Sequence, residues 1–470
     1  MRIDQLPRGR VHAVGAAGLE TATMVRYLVE SGVDGIVLHD EAADLETAFW
    51  MAHRYQPPEH VDRSRRALQQ CGELRTGDGY LAGIEDAAAL LIPVSWMLRH
   101  DRARLAALAD RFVLYPDACF DLFAGPVIAV TGSYGKTTTS RFAGTLVDGV
   151  VCGNDREFCF DLGRLASAPP DERLVFETSN RHLANGYRRI SDVGVVTGIT
   201  LNHEPDHGSF EAYRQAKYRM AEHCRDLLYH ESIPQRFDDA HPLVANGVSY
   251  GPTGAWRLEV PVAGGPVISG PDGLVAPLPG ARLLSVPNRD NALAAAAAAL
   301  LSGVDANSIA ERSLELDAAR PHYRQAVTHR DGRVVVNDAA SCMPAATTAL
   351  VSSLDEPFVL ICGGDRERYR DGEFDELAGA LATNPCTTFV ITTGPMAAHL
   401  EDALAAAGYS SLARADGISE ALERALEVEG AAVVFSPACG TGSLFIDKHE
   451  RGELFDAALD RLVPTGQTTR

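Results

Sequence analysis

The nine cysteines of this chain include no Cys-x-x-Cys pair and no regular spacing. An odd number of scattered thiols is expected to stay reduced, which points to the cytoplasm rather than to a disulfide framework. Residues 1–7 hold no apolar core of signal-peptide length. The longest apolar run, residues 292–301, is mostly alanine and falls short of the roughly 20 residues that cross a bilayer, so no membrane partner is expected. Positive charge is also scarce: 43 Lys and Arg face 63 Asp and Glu, a formal net charge of −20. That balance argues against a nucleic-acid partner, and a phosphorylated ligand would need positive charge gathered locally. There is no internal repeat and no low-complexity tract.

What is present is length and apolar content. At 470 residues and 46% hydrophobic, the chain can bury several cores, roughly three domains. It reads as three α/β blocks: 1–123 Rossmann-like, 124–318 a P-loop ATPase-like parallel sheet, and 319–470 Rossmann-like. The first opens with Val11-His12-Ala13-Val14-Gly15, a helical pattern, and a second strand ending in Asp40, the outline of a nucleotide-binding βαβ unit. Its glycine pattern is degenerate, so a tight turn without ligand reads equally well. In the second block, 174–177 and 193–200 are short apolar runs suited to buried strands, and 251–279 is a turn-rich β subregion. In the third block, strands at 334–336, 358–361, 388–391 and 432–435 alternate with helical patterns, as in a parallel sheet covered on both faces.

The most informative segment is Val127-Ile128-Ala129-Val130-Thr131-Gly132-Ser133-Tyr134-Gly135-Lys136-Thr137-Thr138. An apolar strand runs into a glycine turn and then a helix start. There, backbone amides and the positive helix end can cradle a phosphate. Lys136 supplies a charge for the β- and γ-phosphates of ATP, and the Thr137 hydroxyl can bind Mg²⁺. The cradle is expected to comprise Gly132, Ser133, Tyr134, Gly135, Lys136, Thr137 and Thr138. Val130 replaces the first glycine of the general P-loop, which narrows the field of ATP-using enzymes.

Three further features follow. Glu177 closes a predicted strand, where it either holds Mg²⁺ or is an exposed strand-end acid. His203, in Asn202-His203-Glu204-Pro205-Asp206-His207, is either a metal ligand or a polar loop residue. A helix is predicted over 210–220, with Phe210, Tyr213, Met220 and Cys224 on its buried face, and Lys217 falls on that stripe. Its stem packs while the charge reaches water, or the amine is carbamylated by CO₂ and becomes an anionic Mg²⁺ ligand.

Together these residues resemble the Mur ligase family, to which folylpolyglutamate synthetases are related. The resemblance rests on Thr131-Gly132-x-x-Gly135-Lys136-Thr137, Glu177, Asn202-His203, His207-Gly208, Tyr213 and Lys217. It continues through Asn288-Arg289-Asp290-Asn291-Ala292, Asn337-Asp338, Gly363-Gly364-Asp365, Ser436-Pro437-Ala438-Cys439, Phe445 and Arg451-Gly452. It covers residues 120–460, and the first block is similar mainly in position and outline. The chain is most similar to the subgroup that adds D-glutamate to UDP-N-acetylmuramoyl-L-alanine.

The resemblance implies ATP-driven amide formation through an acyl phosphate, with a small-molecule carboxylate and an amino acid as partners and the chain acting as a monomer. It assigns catalysis to Lys136, Glu177, His203 and Lys217. One Mg²⁺ would lie on Thr137 and Glu177, and a second on His203 and carbamylated Lys217. Asn288 and Asn291 would face adenine, Asp338 the ribose and Arg324 the phosphates. Gly15, Asp40, Asn154 and Thr441 would meet the substrates.

Departures cluster on the substrate side. Ala339-Ala340 replaces the Ser-Lys whose lysine meets the incoming glutamate, and Glu367, between Arg366 and Arg368, replaces a second lysine. Gly153-Asn154-Asp155-Arg156 replaces a Gly-Asn-Ile-Gly turn, Thr441 a serine, Pro205 an aspartate and Pro287 a histidine. Arg324 stands one place off. Three readings stay open: peptidoglycan synthesis on a UDP-muramoyl substrate, the same chemistry in specialised metabolism, or a nucleotide-binding regulator without catalysis.

Overall fold

Short runs of Val, Ile, Leu and Phe with no polar face can be buried only inside a sheet covered on both sides. Such runs form the centre of every parallel sheet in this computed structural model. It describes residues 1–200, 207–261, 265–365 and 372–464. The chain divides into two compact units. One is Met1–Leu283 with Asp290–Ala319, and the other is Leu284–Arg289 with Arg320–Arg470. No helix among the described residues is long and apolar enough to cross a membrane.

The first unit holds two parallel sheets. Strands β1 (Val11–Val14), β2 (Val37–Asp40), β3 (Glu73–Thr76), β4 (Ala89–Ile92) and β5 (Phe112–Leu114) lie in the order β3-β2-β1-β4-β5. Strands β6 (Val127–Thr131), β7 (Val150–Gly153), β8 (Leu174–Glu177), β9 (Ser191–Val196), β10 (Cys224–His230) and β11 (Val248–Tyr250) lie in the order β11-β10-β9-β6-β8-β7. The first two expected blocks thus carry separate sheets within one unit and share one apolar core. A buried ion pair joins them: Arg26, on the helix Leu19–Glu30, stands 3.4 Å from Asp161 and donates to the Phe160 carbonyl at 2.6 Å. A guanidinium this buried is tolerated because it is both paired and hydrogen-bonded. The turn-rich stretch forms an antiparallel sheet of β12 (Arg257–Glu259), β13 (Val267–Ser269) and β14 (Val275–Pro277).

The second unit carries β15 (Ala326–Arg330), β16 (Arg333–Asn337), β17 (Phe358–Gly363), β18 (Thr387–Thr393), β19 (Leu412–Ala415) and β20 (Ala432–Phe435), ordered β15-β16-β20-β17-β18-β19. Only β15 runs antiparallel, as an edge hairpin on β16.

Two local expectations need correction. The strand predicted over 193–200 ends at Val196; beyond it the Thr197 amide and hydroxyl both donate to the Thr131 carbonyl at the end of β6, at 2.8 and 3.1 Å, and the hydroxyl also reaches the Tyr134 carbonyl. The helix predicted over 210–220 is Phe210–Tyr218, followed by the tight turn Arg219–Glu222. Cys224 therefore opens β10 and is not on the helix. Gly194 explains the close approach there: a Cβ on it would stand 2.6 Å from Cys224 Sγ and 3.0 Å from Met220 Cγ.

Candidate active site

Strand register assembles the site. β6 lies between β8 and β9, with Val130 opposite Glu177 and Thr131 opposite Val196. The turn leaving β6 is thus flanked by Glu177 on one side and residues 197–200 on the other. Gly132, at φ +150°, has no room for a side chain, since a Cβ would stand 1.9 Å from Thr197 Oγ1. Gly135, at φ +80°, precedes the helix Lys136–Val147 and lies against Asn291, which accepts from Thr139 Oγ1 at 3.2 Å. Ser133 N donates to Gly198 O at 2.7 Å, and its hydroxyl lies 2.8 Å from that of Tyr213. The Tyr134 carbonyl accepts from the Thr197 hydroxyl. Lys136 folds back over the loop, donating to Ser133 O at 3.4 Å. Thr137 and Thr138 are buried at the helix start.

Glu177 is 1% exposed. Its Oε1 accepts from Asn154 Nδ2 at 3.0 Å. Its Oε2 is buried and has no hydrogen-bond partner among the described residues. An orphaned buried carboxylate oxygen is costly unless a cation or proton meets it. A carboxylate oxygen and the Thr137 hydroxyl are the hard oxygen donors that Mg²⁺ prefers, so these residues fit the ion in chemical type.

Lys217 is equally buried, at 1% exposed. Burial pushes its amine well below the ordinary lysine value; nearby Lys136 pushes the same way and Glu177 opposes. Nζ donates to Thr131 Oγ1 at 3.0 Å and lies 5.5 Å from the centre of the Tyr213 ring. Snorkelling is therefore not observed. His203 lies outside the described residues. His207 is described, and its ring lies 2.8 Å from the Asn180 amide.

In the first sheet, Gly15 and Asp40 come together at the β1–β2 edge. Gly15 N donates to His39 O at 2.8 Å, and Asp40 accepts the amides of Ala17 and Ala42, each at 2.9 Å. The Asp40 carboxylate organises the glycine turn.

In the second unit Asp338 is buried. Oδ2 accepts from Ser341 at 2.6 Å and Ser436 at 2.7 Å, and Oδ1 accepts from Gln325 N at 3.1 Å. Burial pushes its carboxyl up to about 6 against the pull of the two hydroxyls and Arg324. Arg324 Nε is buried without a hydrogen-bond partner among the described residues. Asn288 donates to Gln325 Oε1 at 3.3 Å. Ala339 and Ala340 are buried, so neither reaches a ligand as a lysine would. Thr441 is half-buried. Arg366, Glu367 and Arg368 lie outside the described residues.

Arg451, which the sequence offered only as part of the family resemblance, takes a structural role in this unit. Arg451, 1% exposed, donates to the carbonyls of Ala339, Cys439 and Gly440 at 2.6–3.1 Å. It also lines a cavity of about 560 Å³ with Gly364, Thr393, Gly394, Phe445 and Leu454.

Parallel sheets, a phosphate loop and a buried acid and amine beside it define an ATP-using α/β enzyme. No family model matches the chain. It is 30% identical to the UDP-N-acetylmuramoylalanine–D-glutamate ligase of Pelotomaculum thermopropionicum over 478 residues, covering 96% of this chain and 98% of that protein. The enzyme of the same name from Symbiobacterium thermophilum is 28% identical, with the same coverage. Among solved structures, UDP-N-acetylmuramate–alanine ligase from Thermotoga maritima superposes with TM-score 0.59 at 15% identity, covering 97% of this chain and 100% of that one. The MurF ligase of T. maritima in complex with ADP gives 0.57 at 18%, covering 92% and 96%. The chain belongs to the Mur ligase family, the ATP-dependent, ADP-forming carbon–nitrogen ligases of peptidoglycan precursor synthesis.

Proposed function

We propose that this chain joins the carboxylate of UDP-N-acetylmuramoyl-L-alanine to the amino group of an amino acid such as glutamate. The carboxylate attacks the γ-phosphate of ATP to give an acyl phosphate and ADP, and the amine then displaces phosphate. The observation that carries this reading is the meeting of Thr137, Glu177 and Lys217 around one phosphate loop. Two anions must approach each other in the first step, so fixed positive charge has to offset their repulsion. Lys136 and the amides from Gly132 to Thr138 supply part of it. Mg²⁺, as two ions, supplies the rest when bound. Thr137 and Glu177 would hold one, and His203 with carbamylated Lys217 the other.

Further roles complete the reading. Asn154 orients Glu177 and the carboxylate substrate. Asn288, Asn291, Arg324 and Asp338 bind nucleotide, and Thr441 binds the amino acid. Gly15 and Asp40 bind the UDP portion. The division into domains 1–123, 124–318 and 319–470, a monomeric state and a cytoplasmic setting belong to the same proposal.

A second reading keeps the chemistry in specialised metabolism with substrates that lack UDP. The buried Ala339 and Ala340 favour it, because the lysine expected to grip glutamate is missing there. A regulator without catalysis does not account for the buried Lys217, whose amine is pushed well below the ordinary lysine value beside the phosphate loop. The test is phosphate release from ATP, which should require both a carboxylate substrate and an amine. Release with neither, or none with any amino acid, contradicts the ligase reading.

A further inference from the structure

The turn Gly153-Asn154-Asp155-Arg156 puts a carboxylate where the resembling subgroup has an apolar residue. Asp155 is buried. Its Oδ1 accepts the Glu157 amide at 3.1 Å, and its Oδ2 lies 3.5 Å from Thr137 Oγ1. A hydroxyl contact of that length is weak. The preceding residue, Asn154, holds Glu177 Oε1 and leaves Oε2 buried without a partner among the described residues. Two adjacent ligand oxygens of an octahedral Mg²⁺ site stand about 3 Å apart at bond lengths near 2.1 Å. The Thr137–Asp155 pair needs only a small contraction to reach that edge.

We propose that Asp155 is a direct ligand of the divalent cation assigned above to Thr137 and Glu177, which makes this a two-carboxylate site. The proposal rests on that assignment. Two carboxylates and a hydroxyl form a hard-oxygen site strong enough to take the ion before nucleotide arrives. A site with Glu177 alone would depend on the nucleotide phosphates to retain it.

The test is Mn²⁺ titration of the full chain without nucleotide, followed by electron paramagnetic resonance. Asp155→Asn should weaken Mn²⁺ binding by about tenfold or more, with ADP affinity in EDTA unchanged. Wild-type affinity in Asp155→Asn overturns the proposal. Wild-type protein that binds no Mn²⁺, or Glu177→Gln that binds it normally, contradicts the underlying metal assignment instead. If Asp155→Asn fails to fold, wild-type protein with aspartate ¹³C-labelled at the side-chain carboxyl decides the matter. Bound Mn²⁺ should then show a first-sphere ¹³C coupling, and its absence overturns the proposal.

Discussion

Lys217 donates its amine to the Thr131 hydroxyl across 3.0 Å, and that hydroxyl donates in turn to the Thr178 carbonyl at 2.7 Å. The amine is thereby tied to the base of the phosphate loop and to the segment that follows Glu177.

Carbamylation is the first prediction. The neutral amine adds CO₂ to give a carbamate and one proton. Protein equilibrated with ¹³C-bicarbonate should show a carbamate carbonyl resonance that Lys217→Ala lacks. Lys217→Ala should lose activity by a factor of roughly 10²–10³, partly restored by short-chain carboxylic acids. Full activity in that variant refutes the carbamate.

Lys217 also carries a pH signature. Its folded value lies well below the ordinary 10.5, so between the two values the unfolded chain binds more protons. Stability of CO₂-free protein should therefore rise with pH through that window. Urea denaturation at pH 7 and pH 9 should show the rise in wild type and not in Lys217→Met.

Asp338 predicts the opposite sign. Its carboxyl is raised from 3.8 to about 6, so between these values the folded chain holds the extra proton. Stability should fall as pH rises from 4 to 6, by on the order of 3 kcal/mol. Asp338→Asn should remove that slope while weakening nucleotide binding. Equal slopes in both proteins would contradict a carboxyl raised by burial.

Arg451 is the structural pivot of the second unit. Arg451→Lys cannot reach the carbonyls of Ala339, Cys439 and Gly440 together. It should cost about 3–5 kcal/mol, as expected when a buried charge loses its partners. A shift in the urea midpoint of the second unit measures it, and an unchanged midpoint would mean the three bonds contribute nothing.

The legible parts of the site are those where chemistry restricts the residue type. Gly132, Gly135, Lys136 and Thr137 stand at positions that a bound phosphate dictates, and Glu177 ends a strand whose apolar run marks it. The buried central strands β6, β8, β17 and β20 show in the sequence for the same reason. Edge strands do not. β3 and β15 are exposed or half-buried, so their residues carry no burial pattern. The partners of Asp155 and Arg451 were illegible for another reason: they are set by strand pairing and chain reversal. Asp155 faces Thr137 only because β7 lies beside β8 and β8 beside β6.

The central claim is that this chain makes an amide bond through an acyl phosphate. The most direct measurement is mass spectrometry of products from ATP, Mg²⁺ and a panel of amino acids, with and without UDP-N-acetylmuramoyl-L-alanine. The account predicts a new species equal in mass to the UDP substrate plus one amino acid less water, formed with equimolar ADP. ATP hydrolysis without any condensed product, across the whole panel, would contradict it.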